Sequence, residues 1–382
     1  SLTAKFAFPE RLKPQETMKP NERCWCGSGR KWKVCHKIRE REAPINFFES
    51  VDDMSAEFAR GYCSHPQRSV DACGSVIAAH TVQRRGGLES IQENRHVLTP
   101  KFTFADLVKH AGKPPPRLIG INRASTFPGF CDKHDSDLFR PVEGQDLILN
   151  RSTAFLLAFR AIAYERFAKA AAIKMSEAQR QSDRGRPFEI QVEIQEWIDA
   201  LYRGQVQGLE DVENWKAKYN SCYILGDYGS FHYLGVVFDG ILPVVACGAI
   251  YPEYGFDGQH LQRISHGTDE FDHITLNLTS YAKNSIALFG WLGGTDGPSA
   301  QFVQTFRELP EDQKADAVLR LCFEHLENIY IKPSWWASSV SARLRLGGRI
   351  QSGLPSIERK ANCLVDDGAK LCATKVAAEL AE

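Results

Sequence analysis

Cys63-Ser64-His65, Cys73, Ala79-His80-Thr81-Val82-Gln83 and Phe130-Cys131-Asp132-Lys133-His134-Asp135 all fall within one span, 63–141, which gathers thiols and imidazoles around a further histidine, His80. Cys131 and His134 are separated by two residues, so a single turn of chain can present both to one metal. Cys63 and Cys73 can supply the other half of a tetrahedron. A structural zinc site made of Cys63, Cys73, Cys131 and His134 is therefore expected, and the rest of the chain is read around it.

Toward the N-terminus the chain offers a second ligand set in Cys24-Trp25-Cys26-Gly27-Ser28-Gly29-Arg30-Lys31-Trp32-Lys33-Val34-Cys35-His36. Two cysteines one residue apart, a glycine-rich turn, a basic segment and an adjacent Cys-His pair can close a zinc knuckle through Cys24, Cys26, Cys35 and His36. Gly27 and Gly29 permit a tight reversal beside the metal. A module this short cannot bury enough apolar surface to fold without one. The stretch resembles the SEC-C motif, a short zinc-binding module appended to many otherwise unrelated bacterial proteins. That resemblance implies a docking accessory for proteins or ribosomes, and a folding staple without a partner is the alternative. Arg30, Lys31 and Lys33, with Trp25 and Trp32 among them, are expected to suit nucleic acid, since cations neutralise phosphate and flat rings stack on bases. An acidic protein surface would serve equally.

In the central span a histidine ending a strand, a looped segment and a Cys-x-x-His pair opening a helix make the layout of a treble clef. The arrangement resembles the zinc-stapled HNH, or ββα-metal, nucleases. The resemblance implies that His80 is the general base for water attacking a phosphodiester. It also implies that Asp135 helps hold a catalytic Mg²⁺ or Mn²⁺, and that Asn94 takes the family's asparagine position. Arg84 and Arg85, close to His80 in sequence, are expected to bind the substrate backbone.

Forty-seven basic and forty-seven acidic residues cancel, so any nucleic-acid contact must be local. The first nine residues do not read as a signal peptide, and the most apolar stretch, 154–173, carries Arg160, Glu165, Arg166 and Lys169, which a membrane span would exclude. Eleven cysteines, most at or near metal-ligand spacings, favour a reducing compartment, and the expected location is the cytoplasm without membrane contact.

The remaining pattern predicts a short helix over 45–60 and a helix over 151–175. A second long helix is predicted over 187–219, with Gly204 and Gly208 interrupting it; the two long helices would form an antiparallel hairpin. Segments 231–238 and 241–250 flank Asp239-Gly240, which predicts a two-residue hairpin. Further strands are predicted at 274–279 and 285–291, and Pro310 with Glu311 and Asp312 marks a helix start.

The expectation is an α+β protein: a knuckle and basic arm (1–45), a treble-clef-like zinc domain (46–145), a helical hairpin (146–220), an antiparallel sheet with helices (221–345) and a tail (346–382). Two functions are compatible with it. One is a metal-dependent nuclease containing two structural Zn²⁺ ions. The other is a non-catalytic zinc adaptor that docks nucleic acid, a ribosome or a protein partner.

Overall fold

Residues 274–279 alternate apolar and polar side chains, whereas Ile286-Ala287-Leu288-Phe289 is a continuous apolar run, the mark of a strand covered on both faces. Both become strands of one large sheet. The computed structural model describes residues 11–45, 61–69, 72–101, 110, 114–143, 147–263, 270–352 and 360–382. The helix expected over 45–60 lies outside the described residues.

In chain order the strands are β1 (Val76–His80), β2 (His96–Thr99), β3 (Arg117–Gly120), β4 (Thr126–Cys131), β5 (Phe231–Phe238), β6 (Val244–Ile250), β7 (Ile274–Tyr281), β8 (Asn284–Leu292), β9 (Ile329–Ile331) and β10 (Val376–Ala381). The helices that matter here are α1 (Asp132–Phe139), α2 (Arg151–Gln179), α3 (Phe188–Leu225), α4 (Pro298–Arg307) and α5 (Glu311–His325). The protein is therefore α+β, as its sequence predicts. None of the described helices is long and apolar enough to cross a membrane.

The chain divides into two units, Ser1–Gly61 with Arg166–Asn214, and Tyr62–Glu165 with Trp215–Glu382. In the first, the end of α2 and the start of α3 run antiparallel. Arg166 pairs with Glu213 at 2.5 Å, Ser176 hydrogen-bonds Gln205 at 2.6 Å, and Ile173, Tyr202 and Leu209 form a small core between them. The polar turn joining the two helices contains Gly185 at φ +72°, a left-handed conformation that suits glycine. The break expected at Gly204 and Gly208 does not occur: α3 runs unbroken through both. Each glycine costs a helix about 1 kcal/mol relative to alanine. Burial of Tyr202 and Leu209 on either side outweighs that cost.

The second unit holds an eight-stranded antiparallel sheet in the order β10-β5-β8-β7-β6-β9-β2-β3, and a separate two-stranded sheet, β1-β4. Strand β6 shows how the sheet is covered on both faces. Val244, Ala246 and Ile250 join the core shared with Phe302 and Phe306 of α4 and Leu319 and Cys322 of α5. Val245 and Cys247 point the other way, into a cluster with Ala161 of α2 and Tyr330. Strands β2 and β3 come from the segment assigned by sequence to the central zinc domain, and β10 comes from the tail.

The hairpin predicted at Asp239-Gly240 is corrected by the pairing. Gly240 does take a positive φ of +113°, but β5 pairs with β8 and β10, while β6 pairs with β7 and β9. The residues after β5 instead bind the start of β8, through Gly240 N–H to Asn284 Oδ1 and Leu242 N–H to Ser285 Oγ. The tight hairpin of the sheet is β7-β8, turned by Ala282 and Lys283 at φ +47° and +68°.

Candidate metal centres

The knuckle is built by a short two-stranded clasp and a single 3₁₀ turn. Arg23 bridges Lys31, and Cys24 N–H bonds the Arg30 carbonyl at 2.8 Å across the reversal made by Gly27 and Gly29, at φ +79° and +72°. The turn Trp32–Val34 then delivers Cys35 and His36. Cys26 Sγ lies 3.6 Å from Cys35 Sγ, and His36 Nδ1 lies 3.2 Å from both Cys24 Sγ and Cys35 Sγ. Ligands about 2.1–2.3 Å from a tetrahedral zinc stand roughly 3.5–3.8 Å apart, so the four atoms fit that ion with little adjustment.

The SEC-C motif family model matches residues 21–37. No curated protein and no solved structure matches the chain.

The SEC-C module has a buried carboxylate behind it. Asp183 accepts hydrogen bonds from His36 Nε2 at 2.8 Å, Arg39 Nε at 2.6 Å and Gln195 Nε2 at 2.7 Å. A carboxylate on Nε2 fixes the tautomer that offers Nδ1 to a metal. Arg180 donates to the Cys26 carbonyl at 3.5 Å, and the Trp25 ring meets Phe188 edge-on at 5.7 Å. Trp25 and Trp32 are 0% and 7% exposed. This corrects the expectation that they stack on bases: a module with so few apolar residues needs both rings for its own core. Arg30, Lys31 and Lys33 are exposed, as are Lys37 and the apolar Val34 and Ile38.

The second quartet is assembled by the two-stranded sheet. Strand β1 pairs antiparallel with β4, which runs straight into α1. Cys131 caps that helix, its Sγ accepting from His134 N–H. His134 Nδ1 lies 3.2 Å from Cys131 Sγ, 3.4 Å from Cys63 Sγ and 3.6 Å from Cys73 Sγ, again the spacing of a tetrahedral zinc. Cys63 is carried in by its neighbours, where Tyr62 and Ser64 bond the Pro128 and Gly129 carbonyls. The His65 ring stacks on His134 at 4.0 Å. Among the described residues these two quartets are the groups in which three or more Cys, His, Asp or Glu ligand atoms converge.

His80 is the last residue of β1, paired with Thr126. Its Nε2 lies 3.4 Å from the Ile121 carbonyl. Burial lowers its pKa below the ordinary 6.5, and the cations of Arg84 and Arg160 act in the same direction. The ring is thus neutral near pH 7, with Nε2–H donating to Ile121 and Nδ1 left as an acceptor. Asp135 lies one turn into α1, with Oδ1 buried and without a hydrogen-bond partner among the described residues, and burial raises its pKa.

Arg84 and Arg85 are exposed just beyond β1, where Arg84 reaches Asn122 at 3.4 Å. Asn94 has a different setting. With Arg95 it forms a two-residue turn at φ +50° and +62°, closed by the Glu93 and His96 backbones bonding each other at 2.9 Å. An asparagine tolerates that left-handed backbone, which accounts for its presence there.

Two groups in these surroundings carry little mark in the sequence. Asp183 sits in a polar turn and is 147 residues from its ligand partner. Arg160, 1% exposed, interrupts the otherwise apolar run from Ala154 to Ala163, and that interruption is the one local signal for it.

Proposed function

We propose that the protein is a zinc-stapled nuclease of the ββα-metal type, with His80 as general base and nucleic-acid phosphodiesters as substrate. The observation that carries this reading is the placement of a neutral, partly buried histidine at the end of one strand of a two-stranded sheet whose other strand runs into the helix that carries Cys131 and His134 of the second quartet. A base held by a carbonyl on one nitrogen keeps the other nitrogen aimed and unprotonated, so it can take a proton from water near pH 7. Arg84 and Arg85 would grip the flanking phosphates from outside. The two zinc ions would hold the fold. Asp135 would help hold Mg²⁺ or Mn²⁺ together with substrate phosphate oxygens, the usual habit of hard cations that keep few protein ligands, and the ion would neutralise developing negative charge. Zinc thiolates of this kind persist in a reducing compartment such as the cytoplasm.

The test is cleavage of labelled single- and double-stranded DNA and RNA with Mg²⁺ or Mn²⁺, comparing the full chain with a zinc-loaded His80→Ala variant. Cleavage that disappears with His80 supports the reading. Cleavage that survives the substitution, or none by either protein, sinks it.

A second reading is favoured by the surface of the SEC-C module. Val34 and Ile38, 56% and 54% exposed, lie among Lys33, Lys37 and Arg30, a combination suited to a protein or ribosome with an acidic, partly apolar surface. In that adaptor, Val34→Asp with Ile38→Asp would abolish binding while His80→Ala would leave it intact.

A further inference from the structure

We infer that the guanidinium of Arg160 is a built phosphate-binding position beside His80, closed in the free protein by the carboxylate of Glu143. Its assignment to the scissile phosphate rests on the nuclease reading; the anion site itself does not.

Arg160 is 1% exposed, and it bonds the carboxylate of Glu143 through Nη2 at 2.8 Å. Its Nε and Nη1 are buried without a hydrogen-bond partner among the described residues. A guanidinium has five donors, and leaving the three on Nε and Nη1 dry is expensive in a purely structural ion pair. The Glu143 side chain is 50% exposed, so it can exchange protein for water at small cost. Phosphate offers several oxygens to the planar fork and can use donors that a single carboxylate leaves idle.

The geometry places this guanidinium in the candidate centre. It stacks on the Phe139 ring, 3.9 Å from centroid, and Phe139 lies one turn beyond Asp135 on α1. Gln83, three residues past His80, donates to the carbonyl of Val142, the residue before Glu143. The end of β1, α1 and the 142–143 segment thus approach Arg160, and the titratable groups that interact with its charge are His80, Asp135, Glu143 and Cys247.

The probe is inorganic phosphate, titrated into the full chain at constant ionic strength with chloride as the balancing anion. Wild type should bind weakly, and Glu143→Gln, which removes the competing charge at a half-exposed site, should bind about tenfold more tightly. Arg160→Gln should lose binding. Should that variant fail to fold, the Glu143→Gln comparison decides alone: equal affinity in the two proteins, or binding by neither, overturns the site. Because the titration needs no turnover, phosphate binding that responds to Glu143 in a protein that cuts nothing keeps the anion site and discards the nuclease. His80-dependent cleavage in a protein whose phosphate affinity ignores Glu143 does the reverse.

Discussion

Replacing Asp183 with Asn tests whether the SEC-C module is an integral part of the helical hairpin or an independent staple. The carboxylate is completely buried and takes three donors, from His36, Arg39 and Gln195. An asparagine keeps the shape but must turn an NH₂ toward one of those donors. Losing the carboxylate that orients a metal-binding histidine weakens metal binding about 10- to 100-fold, equivalent to about 1.4–2.7 kcal/mol. Arg39 adds a further penalty because it loses its buried counter-charge. That penalty falls below the 3–5 kcal/mol typical of a broken buried pair, since Arg39 retains Gln181, Glu42 and the Arg180 carbonyl. A total of about 3–4 kcal/mol at the module is expected. The assay is zinc competition against a chromophoric chelator, with thermal melting followed in parallel. Of two zinc equivalents, one should weaken and the other stay as in wild type, and the melting temperature should fall. Two equivalents of wild-type affinity with an unchanged melt would refute the coupling of His36 to Asp183.

Four further outcomes follow. Cleavage should be flat with pH above about 6.5 and fall on the acid side only below it, because burial lowers the pKa of His80; an acid limb lying above that value would contradict the assignment. Gly204→Ala should stabilise α3 by about 0.5–1 kcal/mol in denaturant unfolding, since nothing lies within 4 Å of an added Cβ. His273, buried against Trp215 and pushed down to about 3, binds its proton in the unfolded chain first, so its contribution to stability is lost as pH falls below about 6.5. By pH 4.5 that loss is about 3 kcal/mol, and His273→Gln should lose correspondingly less over the same interval. Loading both quartets with Co²⁺ or Cd²⁺ should preserve any cleavage rate in Mg²⁺, whereas a rate that tracks the thiolate-bound metal would make one quartet catalytic.

What the sequence disclosed and what it hid divide along local and non-local lines. Cys24-Trp25-Cys26 and Cys131-Asp132-Lys133-His134 are readable because ligand geometry is set within one turn of chain. The strand ending at His80 and the helix opened by the Cys-x-x-His pair were readable in the same span, but β4 and its pairing with β1 were not. The partner of β5 was not readable, because Asp239-Gly240 fixes a positive φ but says nothing about which strand lies alongside. That choice is made by the backbone pairing of both edges of β5, with β8 on one side and β10 on the other. The actual tight turn was hidden by its composition, since Ala282 and Lys283 are not the residues that advertise left-handed backbone. Trp25 and Trp32 misled for a related reason: neighbours in sequence are charged, but in a module this small the largest rings are its interior. Asp183 and Glu143 were invisible because each is defined by a contact far along the chain.

The two quartets support different things. In the SEC-C module the ligand His36 is tied through Asp183 to Arg39 and Gln195, so its metal consolidates a turn between two long helices that already pack on each other. In the second unit the metal would secure a helix of eight residues, far too short to persist on its own propensity. That helix carries Asp135 and Phe139, and Phe139 is the surface on which Arg160 lies. Under the nuclease reading the second zinc therefore acts at a distance: it touches no substrate, yet it fixes the carboxylate and the ring that position the buried cation. His80 stands outside this dependence in one respect, since its carbonyl partner Ile121 belongs to the core cluster of Val97, Val245 and Tyr330 on the large sheet. In that reading the base would be referenced to the large sheet and the anion position to the helix of the second quartet, and the two-stranded sheet β1-β4 would align them.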